Sequence, residues 1–217
     1  MLYINVLNCY NVNMKFSTKS AAEKKNNQKQ RITASIGNPL KMLKMFTKDL
    51  YKFPVQTAIQ EYINNAKDAH LMVGKDTSTI EITGPTVANQ TVIIKDYGPG
   101  LSPEEMKNVF GSITTSNKDT SDLFNGGFGI GSKSWFSINQ IFSVVSTYNG
   151  MKRYYSILFT DNIYIDLDME EETSEPNGVE VHLPLVHVSM IKDAQRAIQR
   201  ATKYWRVKPK YINCNFD

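Results

Sequence analysis

Cysteine, histidine and long apolar stretches are all scarce in this sequence. Its 217 residues include two cysteines, Cys9 and Cys214, near opposite ends of the chain, and three scattered histidines. This usage argues against a disulfide framework and against zinc-ligand spacing, and it favours a reducing, cytoplasmic setting. No stretch approaches the roughly 18 apolar residues that a membrane span needs. Met1–Met14 lacks the basic region of a signal peptide, so we expect neither a span nor a secretory leader.

Charges of both signs are present, but they are unevenly distributed. The net charge is +4, and 41% of the residues are hydrophobic, which is enough for a packed core. Lys15–Lys48 holds nine basic residues, Asp161–Glu175 holds seven acidic ones, and Lys192–Lys210 holds seven basic ones against Asp193. The simplest interpretation of each block is a solvated surface. The alternative for the basic blocks is a flank that attracts phosphate or nucleic acid.

The chain divides by composition into three parts. Ser17–Gln30 is polar and rich in lysine, asparagine and glutamine, so residues 1–30 are predicted to form a flexible arm. Residues 31–186 are predicted to form the main domain, and residues 187–217 a C-terminal helix with the start of a second domain. Helices dominate the first half of the main domain and antiparallel strands the second. This order predicts an α+β fold, a two-layer α/β sandwich whose mixed, mostly antiparallel sheet carries its helices on one face.

Apolar spacing, caps and turn residues predict the individual elements. The predicted helices are Pro39–Leu50, Pro54–Val73, Ser102–Phe110, Ser132–Gln140 and Val188–Tyr204. The predicted strands are Thr79–Thr83, Thr91–Lys95, Ile141–Thr147, Arg153–Phe159, Ile163–Leu167 and Val179–Leu185, with a further strand within Val207–Asp217. The segment Ser112–Asn125 is predicted to be a long polar loop of the kind that often forms a functional lid.

Three polar residues recur on one side of the first predicted helix. Glu61, Asn65 and Asp68 fall within roughly 60° of arc at about 100° per residue. The simplest interpretation is the wet face of an amphipathic helix. The functional alternative uses the Asn65 amide oxygen as a magnesium ligand, since magnesium often takes only one or two protein groups besides phosphate. A carboxylate one turn away, Glu61, can then polarise an attacking water.

A second motif begins where the strand Thr91–Lys95 ends. Asp96 is followed by Gly98 and Gly100, which is also the pattern of an ordinary turn. The functional alternative places a carboxylate at the end of the strand, facing a pocket, where it accepts the exocyclic amino group of adenine. The two glycines then allow the backbone to pass close to a planar base.

A third motif is rich in glycine and precedes a predicted helix. Four of the six residues in Gly126–Gly131 are glycine, and Ser132 and Lys133 follow. Backbone N–H groups at a helix start form an anion site, whereas the simplest alternative is a flexible linker. The spacing matches neither the dinucleotide-binding fingerprint nor the P-loop.

The three motifs in this order resemble those of the GHKL superfamily, which includes gyrase, the MutL mismatch-repair proteins, histidine kinases and the large heat-shock chaperone ATPase. Glu61–Asp68 is similar to its first conserved box, Asp96–Gly100 to its second and Gly127–Gly131 to its third. Phe110–Ser116 resembles the start of the chaperone's lid. The resemblance extends from about Ile32 to Leu185 and implies the Bergerat fold.

The resemblance implies an ATP site with Mg²⁺. Glu61 would be the catalytic base, Asn65 the magnesium ligand and Asp96 the adenine acceptor. The remaining residues expected to bind the nucleotide are Asp68, Gly98, Gly100, Leu101, Ser112, Thr115, Gly126, Gly127, Phe128, Gly129, Ile130, Gly131, Ser132 and Lys133. Val179 stands where the superfamily usually has threonine, which puts one adenine contact in doubt. The chain ends at Asp217, too soon for the transducer domain that supplies a lysine to the γ-phosphate in many relatives, and Lys118 and Lys133 are local candidates for that role.

Within the superfamily the chain is most similar to the phage rIIA lysis-inhibitor family, on the segments Ile32–Ser35, Phe46–Tyr51 and Tyr204–Pro209. This implies a phage protein of the host cytoplasm in which lid closure on ATP acts as a switch with slow hydrolysis. The alternative is a nucleotide-gated interaction module without significant catalysis, which engages a host protein or nucleic acid. The expected partners are therefore ATP, a second copy in an ATP-dependent homodimer and a host or phage protein, with nucleic acid left open by the basic segments.

Overall fold

The computed structural model describes residues 15–17, 33–35, 53–111, 131–160 and 162–216. The chain forms two compact units, residues 1–42 and 43–217. In the first unit, strand β1 (Lys15–Ser17) pairs antiparallel with β2 (Thr33–Ser35). The strand β1 falls within the predicted arm, and the predicted domain limits stay predictions.

The second unit carries the helices and the large sheet. Its helices are α1 (Pro54–Met72), the single turn α2 (Pro103–Met106) and α3 (Ile191–Thr202). Its strands are β3 (Glu81–Thr83), β4 (Thr91–Lys95), β5 (Ile141–Tyr148), β6 (Met151–Phe159), β7 (Ile163–Glu172), β8 (Gly178–Pro184) and β9 (Lys210–Ile212). Short 3₁₀ segments occupy Thr77–Thr79, Gly131–Ser137 and Val188–Met190, and a π-helical turn occupies Lys107–Gly111.

The seven strands form one mixed sheet in the order β7-β6-β5-β8-β4-β3-β9. Every neighbouring pair is antiparallel except β3 and β9, which are parallel. Strands β5 and β6 are joined by a tight turn in which Asn149 and Gly150 both have positive φ, as the Asn-Gly pair predicts. The predicted α+β class with a mostly antiparallel sheet is confirmed.

The strands between the two edges of the sheet have one buried face and one largely half-exposed face, whereas the edge strands β7 and β9 have no buried residue. In β4, for example, Val92 and Ile94 are buried and the residues between them are half-buried. Helix α1 packs beside α3, and both bury an apolar stripe that includes Ile59, Ile63 and Ile198. Each fully buried isoleucine contributes roughly 1.5–3 kcal/mol, so this layer fixes the position of α1 against the sheet.

The predicted helix Pro39–Leu50 and the predicted lid Ser112–Asn125 lie outside the described residues and stay predictions. Two other predicted helices differ from the observed ones. The helix predicted over Ser102–Phe110 begins with the expected capping box between Ser102 and Glu105, but after Met106 it widens into the π-helical turn. The helix predicted over Ser132–Gln140 is the 3₁₀ segment Gly131–Ser137 instead. Both differences follow from hydrogen bonds between the two segments, which are described with the site below.

The edge strand β7 is longer than predicted. It runs on to Glu172 although Asp166–Glu172 is strongly acidic, because β6 pairs with it along its whole length, with a bulge where Tyr154 and Tyr155 meet it. In the described part of the chain, no helix combines the length and the apolar character needed to cross a membrane.

Candidate functional site

The polar side of α1 faces a cavity instead of open solvent. Glu61, Asn65 and Asp68 are each half-buried, and all three line one cavity of about 290 Å³. The apolar part of its wall includes Ala66, Ala69, Met72, Ile94, Leu101, Phe110, Val179 and Val181. A mostly apolar cavity with a few convergent polar groups is typical of a small-molecule site.

Asp96 enters the cavity from the end of β4. Its N–H donates to the Val179 carbonyl oxygen at 2.8 Å, which extends the pairing of β4 with β8 by one residue. Its side-chain Oδ1 accepts N–H groups of Gly98 at 2.8 Å and Val179 at 3.3 Å. Among the described residues, nothing donates to Oδ2. Asp96 is 7% exposed and lines the cavity, so its second carboxylate oxygen is left for a ligand.

Burial sets the protonation of Asp96. Desolvation raises the pKa of its carboxyl to about 6, against the opposing effects of the Gly98 and Val179 hydrogen bonds and of the Lys75 charge. The group is therefore mostly ionised at neutral pH. In that state it accepts hydrogen bonds and donates none.

The loop that follows Asp96 is held by His70 of α1. His70 is fully buried; its Nδ1 lies 2.6 Å from the Asp76 carbonyl oxygen, and its Nε2 lies 2.9 Å from the Tyr97 nitrogen. Both contacts are satisfied at once only by the neutral ring with its proton on Nδ1. Lys75 adds a 2.7 Å hydrogen bond to the Tyr97 carbonyl oxygen. The end of α1 and the Asp96 turn are thus fixed to each other.

Strand β5 holds the other end of this loop. The buried Ser146 hydroxyl accepts the Leu101 N–H at 2.8 Å and lies 2.9 Å from the Leu101 carbonyl oxygen. Gly100 has a φ of +74°, and a β-carbon there would lie 2.1 Å from the Thr147 carbonyl oxygen. Glycine is therefore required at position 100 by both conformation and space.

The third motif meets α1 at Gly131. A β-carbon at position 131 would lie 2.7 Å from Oε2 of Glu61, so the absence of a side chain lets this backbone approach the carboxylate. The Tyr62 hydroxyl donates to the Ser132 carbonyl oxygen at 2.6 Å. Burial raises the pKa of Tyr62 well above its usual value, which keeps the hydroxyl protonated for this bond.

The π-helical turn offers a carbonyl to the same segment. The Ser132 hydroxyl and the Lys133 ammonium both donate to the Val109 carbonyl oxygen at 2.7 Å. The Val109 carbonyl oxygen thus has its hydrogen-bond partners in another segment of the chain, and the regular helix ends at Met106. Lys133 is 1% exposed, and burial lowers the pKa of its amine to about 8.

The structure gathers most of the described candidate residues around one cavity. Its lining includes Glu61, Asn65, Asp68, Asp96, Gly100, Leu101, Gly131 and Ser132. Gly98 stands just behind the wall, where a β-carbon would lie 2.6 Å from the Ala69 side chain. Lys133 points to Val109. The remaining candidates, Ser112, Thr115, Gly126, Gly127, Phe128, Gly129 and Ile130, lie outside the described residues and stay predictions.

Sequence reasoning missed three residues that position the site. His70, Ser146 and Tyr62 each bind a backbone group of a predicted motif from 27, 45 and 70 residues away along the chain. In the sequence, a histidine one helical turn beyond Ala66 only weakly indicates a side chain that holds the backbone of another motif. A serine inside an apolar strand gives almost none.

The comparison with protein families agrees with this geometry. Residues 51–188 match the model of the family described as histidine kinase-, DNA gyrase B-, and HSP90-like ATPase. The chain belongs to this ATPase family. The matched range contains all three motifs and every residue that lines the cavity.

A search of characterised proteins also finds a relative of this ATPase domain. The chain is similar to the B subunit of type 2 DNA topoisomerase 6 from Sulfurisphaera tokodaii (strain DSM 16993 / JCM 10545 / NBRC 100140 / 7), with 28% identity over 163 residues. The aligned region covers 71% of this chain and 30% of that relative. The chain thus spans less than a third of the topoisomerase polypeptide it matches.

Proposed function

We propose that this ATPase domain binds ATP with Mg²⁺ in the cavity between α1, the Asp96 turn and the Gly131 segment, and hydrolyses it slowly as a conformational switch. The supporting observation is the convergence of Glu61, Asn65, Asp96 and Gly131 on one cavity. In this proposal, Oδ2 of Asp96 accepts the exocyclic amino group of adenine, because Oδ1 is already occupied by two backbone N–H groups.

The donor set on α1 fits a magnesium ion. Asn65 supplies an amide oxygen, and carboxylates of Glu61 and Asp68 border the same cavity. Oxygen ligands of this kind suit Mg²⁺, which also retains waters and binds phosphate. When bound, the ion would neutralise charge on the phosphate groups. In our assignment Asn65 holds it.

Glu61 is assigned the role of base. Its carboxylate lies beside the backbone of Gly131, the last residue of the glycine-rich segment predicted to carry the phosphates. In the hydrolysis step a water oxygen bonds to the γ-phosphorus, the bond to the ADP oxygen breaks, and Glu61 accepts the water's proton. Tyr62, the next residue on α1, holds Ser132 and so keeps this backbone near Glu61.

Calorimetric titration with ATP and magnesium tests the binding assignment. Asp96→Asn replaces one acceptor oxygen with an amide and should raise the dissociation constant tenfold or more, about 1.4 kcal/mol. Asp166→Asn on the edge strand β7 removes the same charge outside the cavity and should leave the affinity unchanged. Equal affinity of wild type and Asp96→Asn would remove the adenine assignment.

Phosphate release at saturating ATP tests the catalytic assignment. Glu61→Gln should reduce turnover by about 100-fold or more and leave ATP binding close to wild type. Turnover that is unchanged in Glu61→Gln would contradict the role of Glu61 as base.

The second candidate is a nucleotide-gated interaction module without significant catalysis. Val179 favours it, since an apolar side chain lines the cavity beside Asp96, where a hydroxyl would add a hydrogen bond worth about 1 kcal/mol. Wild-type protein that binds ATP but releases no phosphate above the Glu61→Gln level would select this candidate. Both candidate functions include dimerisation on ATP binding, which sedimentation with and without ATP would measure.

The narrower assignment to the phage rIIA-like group is also proposed, on the sequence resemblance alone. It places the protein in an infected host cell, where it engages a host or phage protein. Expression of the chain during phage infection should then change the time of lysis, and Asp96→Asn should abolish that change. Lysis times that are identical with and without the chain would count against this assignment.

A further inference from the structure

We propose that the exposed face of α3 binds single-stranded nucleic acid through a stripe of four basic residues and an exposed tyrosine. The stripe consists of Lys192, Arg196, Arg200 and Lys203, and the tyrosine is Tyr204. This function goes beyond the proposed ATP site, because none of these residues lines the nucleotide cavity.

The four basic residues form one continuous row. At about 100° per residue they fall within roughly 80° of arc, and they extend over about 16 Å of helix axis. All four are exposed, while the opposite side of α3 buries Ala194, Ala197 and Ile198 in the domain. The row is therefore directed away from the core and is accessible along its length.

Little acidic charge neutralises this row. Residues 192–210 contain seven basic residues and one acid, Asp193, whose carboxylate lies 3.9 Å from Arg196 with both side chains about half exposed. Arg200 donates to the uncharged amide oxygen of Gln56 at 2.7 Å, which orients the guanidinium and leaves its charge in place. Salt bridges between exposed side chains, such as that of Asp193 with Arg196, are weak. The row therefore keeps most of its positive charge and attracts a polyanion.

Nearby cations with structural partners are excluded from the row. Lys208 donates to the carbonyl oxygens of Thr202 and Lys203 at the C-terminal end of α3. Lys210 pairs with Glu81 at 3.2 Å. These two lysines bind the end of α3 and the β9 edge, and they are not part of the stripe.

The exposed aromatic ring favours unpaired bases as the ligand. Tyr204 is 87% exposed, directly after the last basic residue of the row, and the Lys203 ammonium lies 5.3 Å from the ring centroid. An aromatic ring that is not buried in the domain offers a surface on which a base stacks, and a base is accessible for stacking only in a single strand.

The shape of α3 argues against a lipid surface as the ligand. Helices that bind membranes insert an apolar face below a basic one, but the apolar residues of α3 are buried in the domain.

The charge distribution of the sheet also favours one position for a bound polyanion. Its acidic edge strand β7 and the strand β9 that follows α3 lie at opposite edges of the sheet, so a polyanion is repelled from one edge and attracted toward the other.

The test is fluorescence anisotropy of a labelled 15-nucleotide poly-dT titrated with the full 217-residue chain, without ATP. The triple variant K192Q/R196Q/R200Q should weaken binding at least tenfold. It should also reduce the slope of log Kd against log salt by about 2, since each single-strand phosphate contact contributes about 0.7. Variant Y204A should weaken binding about 5-fold or more, whereas Y204F should bind as wild type does.

The matched control is K19Q/K24Q/K25Q, which removes the same charge from the N-terminal basic segment and should retain wild-type affinity. Equal losses in the two triple variants would show that binding follows net charge and would overturn the proposal. Binding of a 15-base-pair duplex as tightly as poly-dT, unaffected by Y204A, would also overturn it. So would stripe-dependent binding to vesicles of 30% phosphatidylserine with none to poly-dT. These outcomes are independent of whether ATP binds.

Discussion

At the scale of single residues, Asp96 has the most informative environment. One carboxylate oxygen is satisfied by two backbone N–H groups, and the other has no donor among the described residues. A buried ionised carboxylate costs free energy unless it is fully hydrogen-bonded, and a bound adenine amino group that donates to Oδ2 would offset part of that cost. The pKa of Asp96, raised by burial to about 6, expresses the same cost and leads to two predictions.

The first prediction concerns ATP affinity. Below a pH of about 6 Asp96 is protonated, and a protonated carboxyl is a poorer acceptor for the adenine amino group. The affinity of wild type should therefore fall as pH decreases from 7.5 to 5. Calorimetry across this range on wild type and Asp96→Asn isolates the effect, because titration of ATP itself is common to both. Parallel pH profiles for the two proteins would contradict it.

The second prediction concerns stability. The folded-state pKa of about 6 exceeds the usual value of 3.8, so the contribution of Asp96 to stability is fully present below the usual value and is lost as pH rises through about 6. The loss is on the order of 3 kcal/mol. Urea unfolding should show Asp96→Asn gaining stability relative to wild type between pH 4 and 7.5. A constant difference would contradict the burial of this charge.

His70 is predicted to stabilise both the fold and the nucleotide site. His70→Leu leaves the Tyr97 N–H and the Asp76 carbonyl oxygen without their partner, which should cost about 2–4 kcal/mol in the free energy of unfolding. ATP affinity should fall as well, since Tyr97 adjoins Asp96. The control is His187→Leu, because His187 is exposed. Equal stability of His70→Leu and His187→Leu would show that these hydrogen bonds contribute little.

At the scale of elements, local patterns predicted the regular segments well. Strand β4 has the limits that the alternation of apolar and polar residues predicts, and α1 ends one residue before the predicted limit at Val73. Strand β3 begins at Glu81, later than predicted, because the Asp76 side chain accepts the Ser78 N–H and closes a 3₁₀ turn first. β7 was predicted too short, because acidic residues have low strand propensity and pairing with β6 overrides it.

Where elements contact one another, sequence patterns were less informative. The π-helical turn and the 3₁₀ segment replace two predicted helices because Ser132 and Lys133 bind the Val109 carbonyl oxygen, and that contact joins residues more than 20 positions apart. The residues of the site were likewise predicted where they belong to local motifs and missed where they act through contacts between elements. The residues that line the cavity belong to recognisable motifs, whereas His70, Ser146 and Tyr62 are recognised only once the motifs are folded together.

Strand β5 is predicted to support the nucleotide site through one hydroxyl. Ser146→Ala removes the acceptor of the Leu101 N–H and should destabilise the fold by about 1–3 kcal/mol. Because Leu101 lines the cavity, the dissociation constant for ATP should also rise. Ser143→Ala on the same strand is the matched control, since the hydroxyl of Ser143 makes no hydrogen bond to a described residue. Unchanged stability and affinity in Ser146→Ala would contradict this role.

At the scale of the whole molecule, the ATPase domain combines two surfaces with different chemistry. The cavity proposed to bind ATP lies on the polar side of α1, and the basic stripe lies on α3, which packs beside α1. The topoisomerase relative is more than three times as long as the region it shares with this chain. The partners of this protein are therefore to be identified through its own surfaces.

The most direct measurement is a crystal structure of the chain with magnesium and a non-hydrolysable ATP analogue. We predict adenine in the cavity with its amino group within hydrogen-bond distance of Asp96 Oδ2, magnesium on the Asn65 amide oxygen, and the γ-phosphate between Glu61 and the Gly131 segment. A nucleotide bound elsewhere, or in the cavity with its phosphates toward Asp96 and its base toward Gly131, would contradict these assignments.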